Sequence, residues 1–205
     1  MKHTISISWF YIFAMLFALL SSLPVMSQYQ SGAEEENQEK AGTFFIAPDF
    51  GLMLGTVTRI DISPSLGYYL TNRLSVAIGG RYEYLSDSRQ YSYYRNFKTH
   101  IFGTRAYAEL DVIQNLNNII PLGMNSGIFG HIEYEGLSLE RAYFDYSSPG
   151  LSGRFWHSTM LIGAGLRQPA GNRVAFNILV LWDTDTTLGT LYNNPVIRMG
   201  FVIYL

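Results

Sequence analysis

The sequence predicts an all-β fold, an eight-stranded antiparallel up-and-down transmembrane β-barrel. Three observations lead to this fold class. From Thr43 onward, apolar residues alternate with polar or small residues at a period of two. The alternating segments are joined by connections that are alternately short and long, and they follow an N-terminal segment with the features of a secretion signal. This combination is typical of barrels in a bacterial outer membrane.

Residues 1–27 are expected to be a cleaved signal peptide that takes the chain through the inner membrane. Lys2 and His3 form a short basic start, and an uncharged apolar run follows over residues 5–20. Val25 and Ser27 then supply the small residues of a cleavage site. An uncleaved membrane anchor is the alternative, but the apolar run is shorter than the roughly 20 residues that a spanning helix needs.

Residues 28–42 are predicted to be a flexible acidic periplasmic leader. The segment contains Glu34, Glu35, Glu36, Glu39 and Lys40 and very few apolar residues. It cannot bury enough surface to fold by itself. An acidic tail that binds a partner is the alternative. The barrel is then expected to occupy residues 43–205.

The alternation predicts eight strands in that range. Leu74, Val76 and Ile78 share one face of the third strand, and Ser75 and Ala77 share the other. β-Branched and aromatic residues dominate these segments and helix caps are missing, which argues against helices. The predicted strands are residues 43–56, 58–70, 73–85, 98–113, 124–139, 157–168, 173–184 and 195–205.

The connections predict the orientation of the barrel. Short connections follow strands two, four and six, and longer ones follow strands three, five and seven. Outer-membrane barrels keep short turns in the periplasm and long loops outside, so both termini should be periplasmic. Two connections fit this scheme poorly: the first outer loop is nearly absent, and residues 114–123 are long for a turn. A soluble secreted barrel is the structural alternative.

Composition and aromatic placement favour the bacterial outer membrane as the location. Hydrophobic residues make up 48% of the chain, whereas charged residues make up 15%, below the ~25% usual for soluble domains. Tyrosine and tryptophan prefer the two membrane–water interfaces. The aromatic residues near predicted strand ends are Tyr68, Tyr82, Tyr84, Tyr134, Trp156 and Trp182.

The predicted register directs many charged side chains into the barrel. An eight-stranded barrel is just wide enough for side chains to fill, so we expect an internal ion-pair network and no open pore. Only three of the 14 basic residues are lysines, and arginine is better suited to pair carboxylates. The inward residues are predicted to be Arg59, Arg73, Arg81, Arg105, Arg167, Arg198, Asp49, Asp61, Glu83, Glu109, Asp111, Glu133, Glu135 and Asp183.

Signals for catalysis or cofactors are weak. Acid pairs such as Glu133 with Glu135 fit the ion-pair network better than a catalytic role. His131, Glu133 and Glu135 share a face, but no further histidine or cysteine is near them in sequence, so we expect no metal and no cofactor. No basic patch is evident in the sequence, so we expect no nucleic-acid partner. Phosphate-binding, zinc-helix and nucleophile-elbow motifs are absent from the sequence.

Two predicted outer loops are rich in tyrosine and arginine, which is typical of recognition surfaces. Lipopolysaccharide phosphates, a surface glycan or a protein ligand are the partners considered. The alternative is that these rings extend the interfacial girdle or pack the loops together. The candidates are Arg89, Tyr91, Tyr93, Tyr94 and Arg95 after strand three, and Tyr143, Phe144 and Tyr146 after strand five.

The chain resembles a family of small, functionally uncharacterised outer-membrane β-barrel proteins of Bacteroidota. The resemblance covers most of residues 43–205 and implies the fold and the location but no activity. It is carried by the segments Gly55-Thr56-Val57-Thr58, Asp61-Ile62-Ser63-Pro64, Gly67-Tyr68, Thr71-Asn72-Arg73-Leu74-Ser75, His131-Ile132-Glu133-Tyr134, Gly165-Leu166-Arg167-Gln168-Pro169 and Asn194-Pro195-Val196-Ile197-Arg198-Met199-Gly200-Phe201.

One short segment is similar to the outer-membrane lipid A deacylases, in which a histidine and a serine lie two residues apart. Here Thr159 stands two residues after His157, and Ser158 falls on the opposite strand face. We therefore expect a non-enzymatic barrel with a structural or surface-contact role, in contact with outer-membrane lipids. A membrane-embedded enzyme acting on lipid or lipopolysaccharide, or narrow transport, is the alternative.

Overall fold

The structure, a computed structural model, describes residues 40–88, 96–121, 123, 125–144, 152–185, 192 and 194–205. The predicted signal peptide and the leader as far as residue 39 lie outside the described residues. The same holds for Arg89, Tyr91, Tyr93, Tyr94, Arg95 and Tyr146 of the predicted loop surface.

Eight antiparallel strands form a closed barrel in which each strand pairs with the next and the last pairs with the first. The predicted fold class is therefore confirmed, and the predicted strand bounds agree to within about three residues. The strands are β1 (Phe44–Met53), β2 (Val57–Tyr69), β3 (Leu74–Asp87), β4 (Phe97–Ile113), β5 (Gly127–Glu140), β6 (Arg154–Pro169), β7 (Val174–Asp183) and β8 (Val196–Tyr204).

The connections divide the barrel into two ends. The turn end carries the β2–β3, β4–β5 and β6–β7 connections and both chain ends of the barrel, and the loop end carries the other four connections. A four-residue helix, α1 (Arg141–Phe144), follows β5 at the loop end. None of the helices in the described residues is long and apolar enough to cross a membrane.

The long β4–β5 turn has a structure of its own. It contains a 3-10 helix at Leu116–Asn118, where the Asn115 side chain accepts a hydrogen bond from the backbone N–H of Asn117 at 2.9 Å. The N–H of Leu116 also donates to the Ser126 carbonyl at 2.7 Å, which joins the two ends of the turn. These bonds explain how a connection this long is accommodated at the turn end.

Arg73 is exposed, so its predicted inward position is wrong. The Thr71 hydroxyl accepts hydrogen bonds from the N–H groups of Arg73 and Leu74, at 3.2 and 2.9 Å. β3 therefore begins at Leu74, and Arg73 is exposed in the turn before it.

The outer wall of the barrel is apolar. Outward residues of β3, β4 and β6, such as Ile78, Phe102 and Ile162, are 69%, 51% and 51% exposed. Soluble monomers rarely expose a contiguous apolar surface larger than a few hundred Å². The alternation therefore places hydrophobic side chains where a soluble protein would place polar ones.

The seam between β1 and β8 closes the barrel but is interrupted between Ile46 and Asp49. Phe45, Ile46, Asp49 and Phe50 each pair with a residue of β8. Pro48 lies between these pairs and has no N–H to donate to a ladder. The N–H of Leu205 donates to the Phe44 carbonyl at 2.9 Å and extends the closure at the turn end.

Two apolar clusters and a charged layer fill the lumen. In β5, His131, Glu133 and Glu135 occupy the inward positions between Phe129 and Leu137. The first cluster reaches the loop end and consists of Leu85, Ile101, Phe129, Leu137, Leu139, Leu161, Leu179, Leu181 and Tyr192. The second lies toward the turn end and consists of Phe45, Ala47, Tyr69, Ala77, Tyr107, Ala175 and Val202.

Candidate functional site

The candidate site is the charged interior of the barrel, and its ion pairs involve inward positions of all the strands except β7. Arg81 of β3 is the most heavily paired residue. Its guanidinium lies 2.6 Å from Asp61 Oδ2, 2.7 Å from Glu83 Oε2 and 2.5 Å from Glu135 Oε1. Arg81 is 5% exposed, so its charge needs this compensation. Arg59 lies beside it, with Nε 2.8 Å from Glu83 Oε1.

Arg198 of β8 reaches across the lumen to β5. Its two terminal nitrogens lie 2.7 Å from Glu133 Oε1 and 2.7 Å from Glu135 Oε1. One guanidinium thus joins two carboxylates, a geometry that its planar fork favours. Because Glu135 also contacts Arg81, the charges of β3, β5 and β8 form one connected group.

Arg105 of β4 joins β1 to this group. Its guanidinium lies 2.7 Å from Asp49 Oδ2 and 3.0 Å from Glu133 Oε2, and it stacks 4.8 Å above the Tyr107 ring. Arg105 is the one cation paired with Asp49 among the described residues. Removal of Arg105 would therefore strand a buried carboxylate.

A second group lies toward the turn end around Arg167 of β6. Its terminal nitrogens lie 2.5 Å from Glu109 Oε2 and 3.0 Å from Asp111 Oδ1, and one also donates to the Tyr69 hydroxyl at 2.8 Å. Lys40, just before β1, lies 3.1 Å from Asp111 Oδ2. This ion pair attaches the last charged residue of the predicted leader segment to the barrel.

His131 joins the two groups. Its Nδ1 lies 3.0 Å from Glu109 Oε1 and its Nε2 lies 2.9 Å from Glu133 Oε2. Ionised carboxylates only accept hydrogen bonds, so both contacts are hydrogen bonds only when both ring nitrogens carry protons. His131 in that form is a cation between two anions.

The charge of the connected network supports a protonated His131. Among the described residues and without His131, the network has six cations and seven carboxylates, an excess of one negative charge. The imidazolium would bring it to neutrality, which a low-dielectric interior favours. The members are Lys40, Arg59, Arg81, Arg105, Arg167 and Arg198, with Asp49, Asp61, Glu83, Glu109, Asp111, Glu133 and Glu135.

Tyr192, in the β7–β8 connection, closes the network from the loop end. Its hydroxyl donates to Glu135 and accepts from Arg81. Burial raises the pKa of Tyr192 well above its ordinary value, so the phenol stays neutral and can donate. The period-two alternation did not predict an inward position for Tyr192, because this residue lies in a connection rather than in a strand.

Asp183 is inward but stands apart from the network. It accepts hydrogen bonds from the Thr159 hydroxyl and, at 2.9 Å, from the N–H of Asp185. Neutral donors compensate its charge, and the described residues give it no cationic partner.

The segment similar to lipid A deacylases does not assemble a serine–histidine pair. Ser158 faces outward and accepts a hydrogen bond from the Tyr134 hydroxyl at 2.7 Å. His157 lies on the other face, with Nε2 3.3 Å from Asp185 Oδ2. In the described part of the chain, no group of three or more histidine and acidic side chains is arranged to hold a metal ion.

Of the predicted loop surface, Tyr143 and Phe144 are described. The Tyr143 ring stacks on Phe97 at a centroid distance of 4.7 Å, and Phe144 meets the same ring edge-on at 6.2 Å. Both residues belong to α1, which packs on the end of β5. These two rings therefore pack the loop end together.

Comparison with known proteins supports the fold. No family model matches the chain, and no curated protein matches it in sequence. It is similar to the N-terminal β-barrel domain of Pseudomonas aeruginosa OprF, with a TM-score of 0.52 and 13% identity over 82% of this chain and 100% of that one. A designed transmembrane β-barrel matches with a TM-score of 0.39 and 9% identity, over 81% of this chain and 98% of that one.

The likeness to the OprF domain concerns the fold alone. The chain has the closed eight-stranded architecture of outer-membrane barrels. The resemblance to a Bacteroidota family remains a prediction, because no family model matches.

Replacing Arg105 with Met is expected to lower the free energy of unfolding by about 3–5 kcal/mol, because Asp49 would remain buried and uncompensated. The double variant Arg105→Met, Asp49→Asn should recover a large part of this loss. Urea titration of the barrel in detergent measures both values. Arg73→Met removes an exposed arginine and should cost less than about 0.5 kcal/mol. The pairing is contradicted if the double variant loses as much unfolding free energy as the two single variants, Arg105→Met and Asp49→Asn, lose together.

Proposed function

We propose that this chain is a bacterial outer-membrane barrel with a structural or surface-contact role and no open pore. The observation that carries the proposal is that polar and apolar residues are distributed in the opposite way to a soluble protein. The outer wall is apolar, and the interior holds paired charges. That distribution suits a protein whose solvent is lipid and whose lumen is filled by its own side chains.

The two ends of the barrel support an orientation with the loops outside the cell. The β2–β3 and β6–β7 turns are short, whereas the loop end carries the longer β3–β4, β5–β6 and β7–β8 connections. A cleaved secretion signal would deliver the chain to the periplasm, where both ends of the barrel would stay. Trp156 and Trp182, 67% and 49% exposed on the outer wall, suit the outer interface.

The absence of cysteine allows a direct test of this orientation. Ser152→Cys places a thiol in the exposed β5–β6 connection, and Ala170→Cys places one in the exposed β6–β7 turn. On intact cells, a membrane-impermeant maleimide should label Ser152→Cys and leave Ala170→Cys unlabelled until the outer membrane is permeabilised. Equal labelling of both variants in intact cells, or the reverse pattern, would reject the proposed orientation.

The filled lumen supports the absence of an open pore. Arg81, Arg105 and Arg198 connect opposite walls through Glu133 and Glu135. Leu85, Leu137 and Leu139 of the first apolar cluster lie on the loop-end side of these ion pairs. Water or solute would have to displace both layers to cross the barrel.

In planar lipid bilayers, the purified barrel should give no regular conductance steps above the leak of the bare membrane. Its insertion is verified on the same sample by the change in gel mobility on heating. A 16-stranded porin, which has an aqueous channel, serves as the positive control. Reproducible unitary steps from the inserted barrel would support the transport alternative and contradict a closed lumen.

We propose further that the chain is not an enzyme. The buried acid pairs are engaged by arginine, and Ser158 is separated from His157 by the barrel wall. Among the described residues, the polar contacts of the histidine rings are with Tyr82 or with carboxylates, and none is with a serine or threonine hydroxyl. The role that remains is contact at the loop end or the outer wall, with lipid, a glycan or a protein.

Lipid A from cells with and without the protein should have the same mass spectrum. A lost or gained acyl chain that depends on the protein would favour the enzyme alternative. Ser158→Ala distinguishes the source of such a change, because a serine-dependent deacylase would lose activity while the barrel stays folded.

A further inference from the structure

Three basic side chains lie together on the outer wall at the loop end. Lys98 and His100 belong to β4, Arg154 begins β6, and all three are exposed. We call this group the outer cationic patch. It is separate from the lumen network, because these residues occupy outward positions of their strands.

Arg154 is held rigidly in the patch. The β4–β5 pairing ends at Phe102 and Ser138, and the Arg154 guanidinium occupies the space where these strands separate. It donates to the carbonyls of His100 and Ser138 at 2.8 and 2.5 Å, and to the Ser138 hydroxyl at 2.9 Å. Its fourth contact is with Glu140 at 3.2 Å, and a third of its side chain stays exposed. The patch thus contains a positive charge fixed in position.

His100 and Lys98 supply donors that remain available. His100 Nδ1 is 2.9 Å from the Tyr82 hydroxyl, which leaves Nε2 without a partner among the described residues. Lys98 is exposed, and within the described residues its ammonium group forms no ion pair. One ammonium group and one imidazole nitrogen therefore lie beside the fixed guanidinium, and Glu140 offsets only part of the charge.

The height of the patch on the wall matches a lipid headgroup. The row of outward residues next to it, toward the middle of the barrel, contains Tyr82, Phe102 and Trp156. Aromatic rings of this kind mark the interface between lipid and water. His100 and Arg154 lie two residues further along their strands, about 7 Å at the usual rise per residue, and Lys98 lies two residues beyond His100. Phosphate groups of a lipid are expected at that level.

The patch occupies one side of the barrel only. On the opposite side, the outward residues near the loop end include Leu52, Thr58, Trp182 and Ile197, none of which is basic. A general attraction to an anionic membrane surface would need no such asymmetry. The clustering of basic groups on β4 and β6 favours a discrete anion site.

We propose that the outer cationic patch binds a phosphorylated lipid of the loop-side leaflet. The lipid phosphate accepts hydrogen bonds from Lys98 and from His100 Nε2, and the Arg154 guanidinium adds a fixed charge beside it. The acyl chains lie along the apolar wall below Phe102. This inference rests on the proposed membrane orientation.

Titration of the purified barrel in neutral detergent with bis-phosphorylated lipid A, followed by native mass spectrometry, tests the site. The double variant Lys98→Gln, His100→Gln should weaken binding about fivefold, the factor expected for one cation near a membrane surface. Lys98→Arg should bind as the parent does. The matched control Arg73→Gln removes an exposed cation at the turn end and should leave binding unchanged. Arg154 is not substituted, because its hydrogen bonds to the carbonyls of His100 and Ser138 hold the ends of β4 and β5 together.

The proposal is overturned if the double variant binds as tightly as the parent, or if Arg73→Gln weakens binding equally. Equal affinity of the parent for dephosphorylated lipid A would also overturn it. If inorganic phosphate alone displaces the lipid, the patch is a site for the free ion and the lipid proposal is wrong. Lys98→Gln alone replaces the double variant if the latter does not assemble.

Lipid binding in detergent does not depend on how the barrel is oriented in a membrane. The cysteine labelling therefore tests the orientation, and the lipid titration tests the phosphate site independently of it. Labelling that put the loops in the periplasm would reject the outer leaflet as the source of the lipid. Loss of binding only in the double variant would still identify the phosphate site.

Discussion

The pairing of charges around Glu133 is the interaction on which most of the barrel interior depends. This carboxylate on β5 contacts Arg105 of β4, Arg198 of β8 and the ring of His131. Arg105 also contacts Asp49 of β1. The strands on both sides of the interrupted seam are therefore attached to β5 through the lumen. The ion pairs stabilise closure where the backbone ladder is weakest, next to Pro48.

Charges inside and hydrocarbon outside follow from a single constraint. A strand turns successive side chains to opposite faces, so lipid on one face requires the polar residues to point into the lumen. Eight strands enclose too little space for those residues to keep a full hydration shell. Each inward charge must then find a partner. Binding functions are consequently expected at the barrel ends and on the outer wall rather than inside.

The period of two was sufficient to predict the strands and the inward face, because burial depends only on which side of the wall a residue occupies. It could not predict which inward residues meet, since contacts across the lumen depend on the stagger of all eight strands. Asp183 illustrates this, because it faces inward yet meets Thr159 rather than an arginine. Lys40 and Tyr192 were missed because they lie outside the strands, and Arg73 was misplaced because the Thr71 turn precedes β3.

Arginine and lysine side chains lie in different environments in this barrel. The guanidinium groups of Arg81, Arg105 and Arg198 each contact more than one carboxylate, and they are buried. An ammonium group is more strongly hydrated and costs more to enclose. The lysines of the described chain, Lys40 and Lys98, accordingly lie at the ends of the barrel, where water remains accessible. A lysine at the height of a lipid headgroup keeps its hydration until an anion replaces it. Exchanging water for an anion costs a hydrated ammonium group less than breaking its ion pairs would cost a buried arginine. We therefore expect a charged ligand to bind on the outer wall rather than in the lumen.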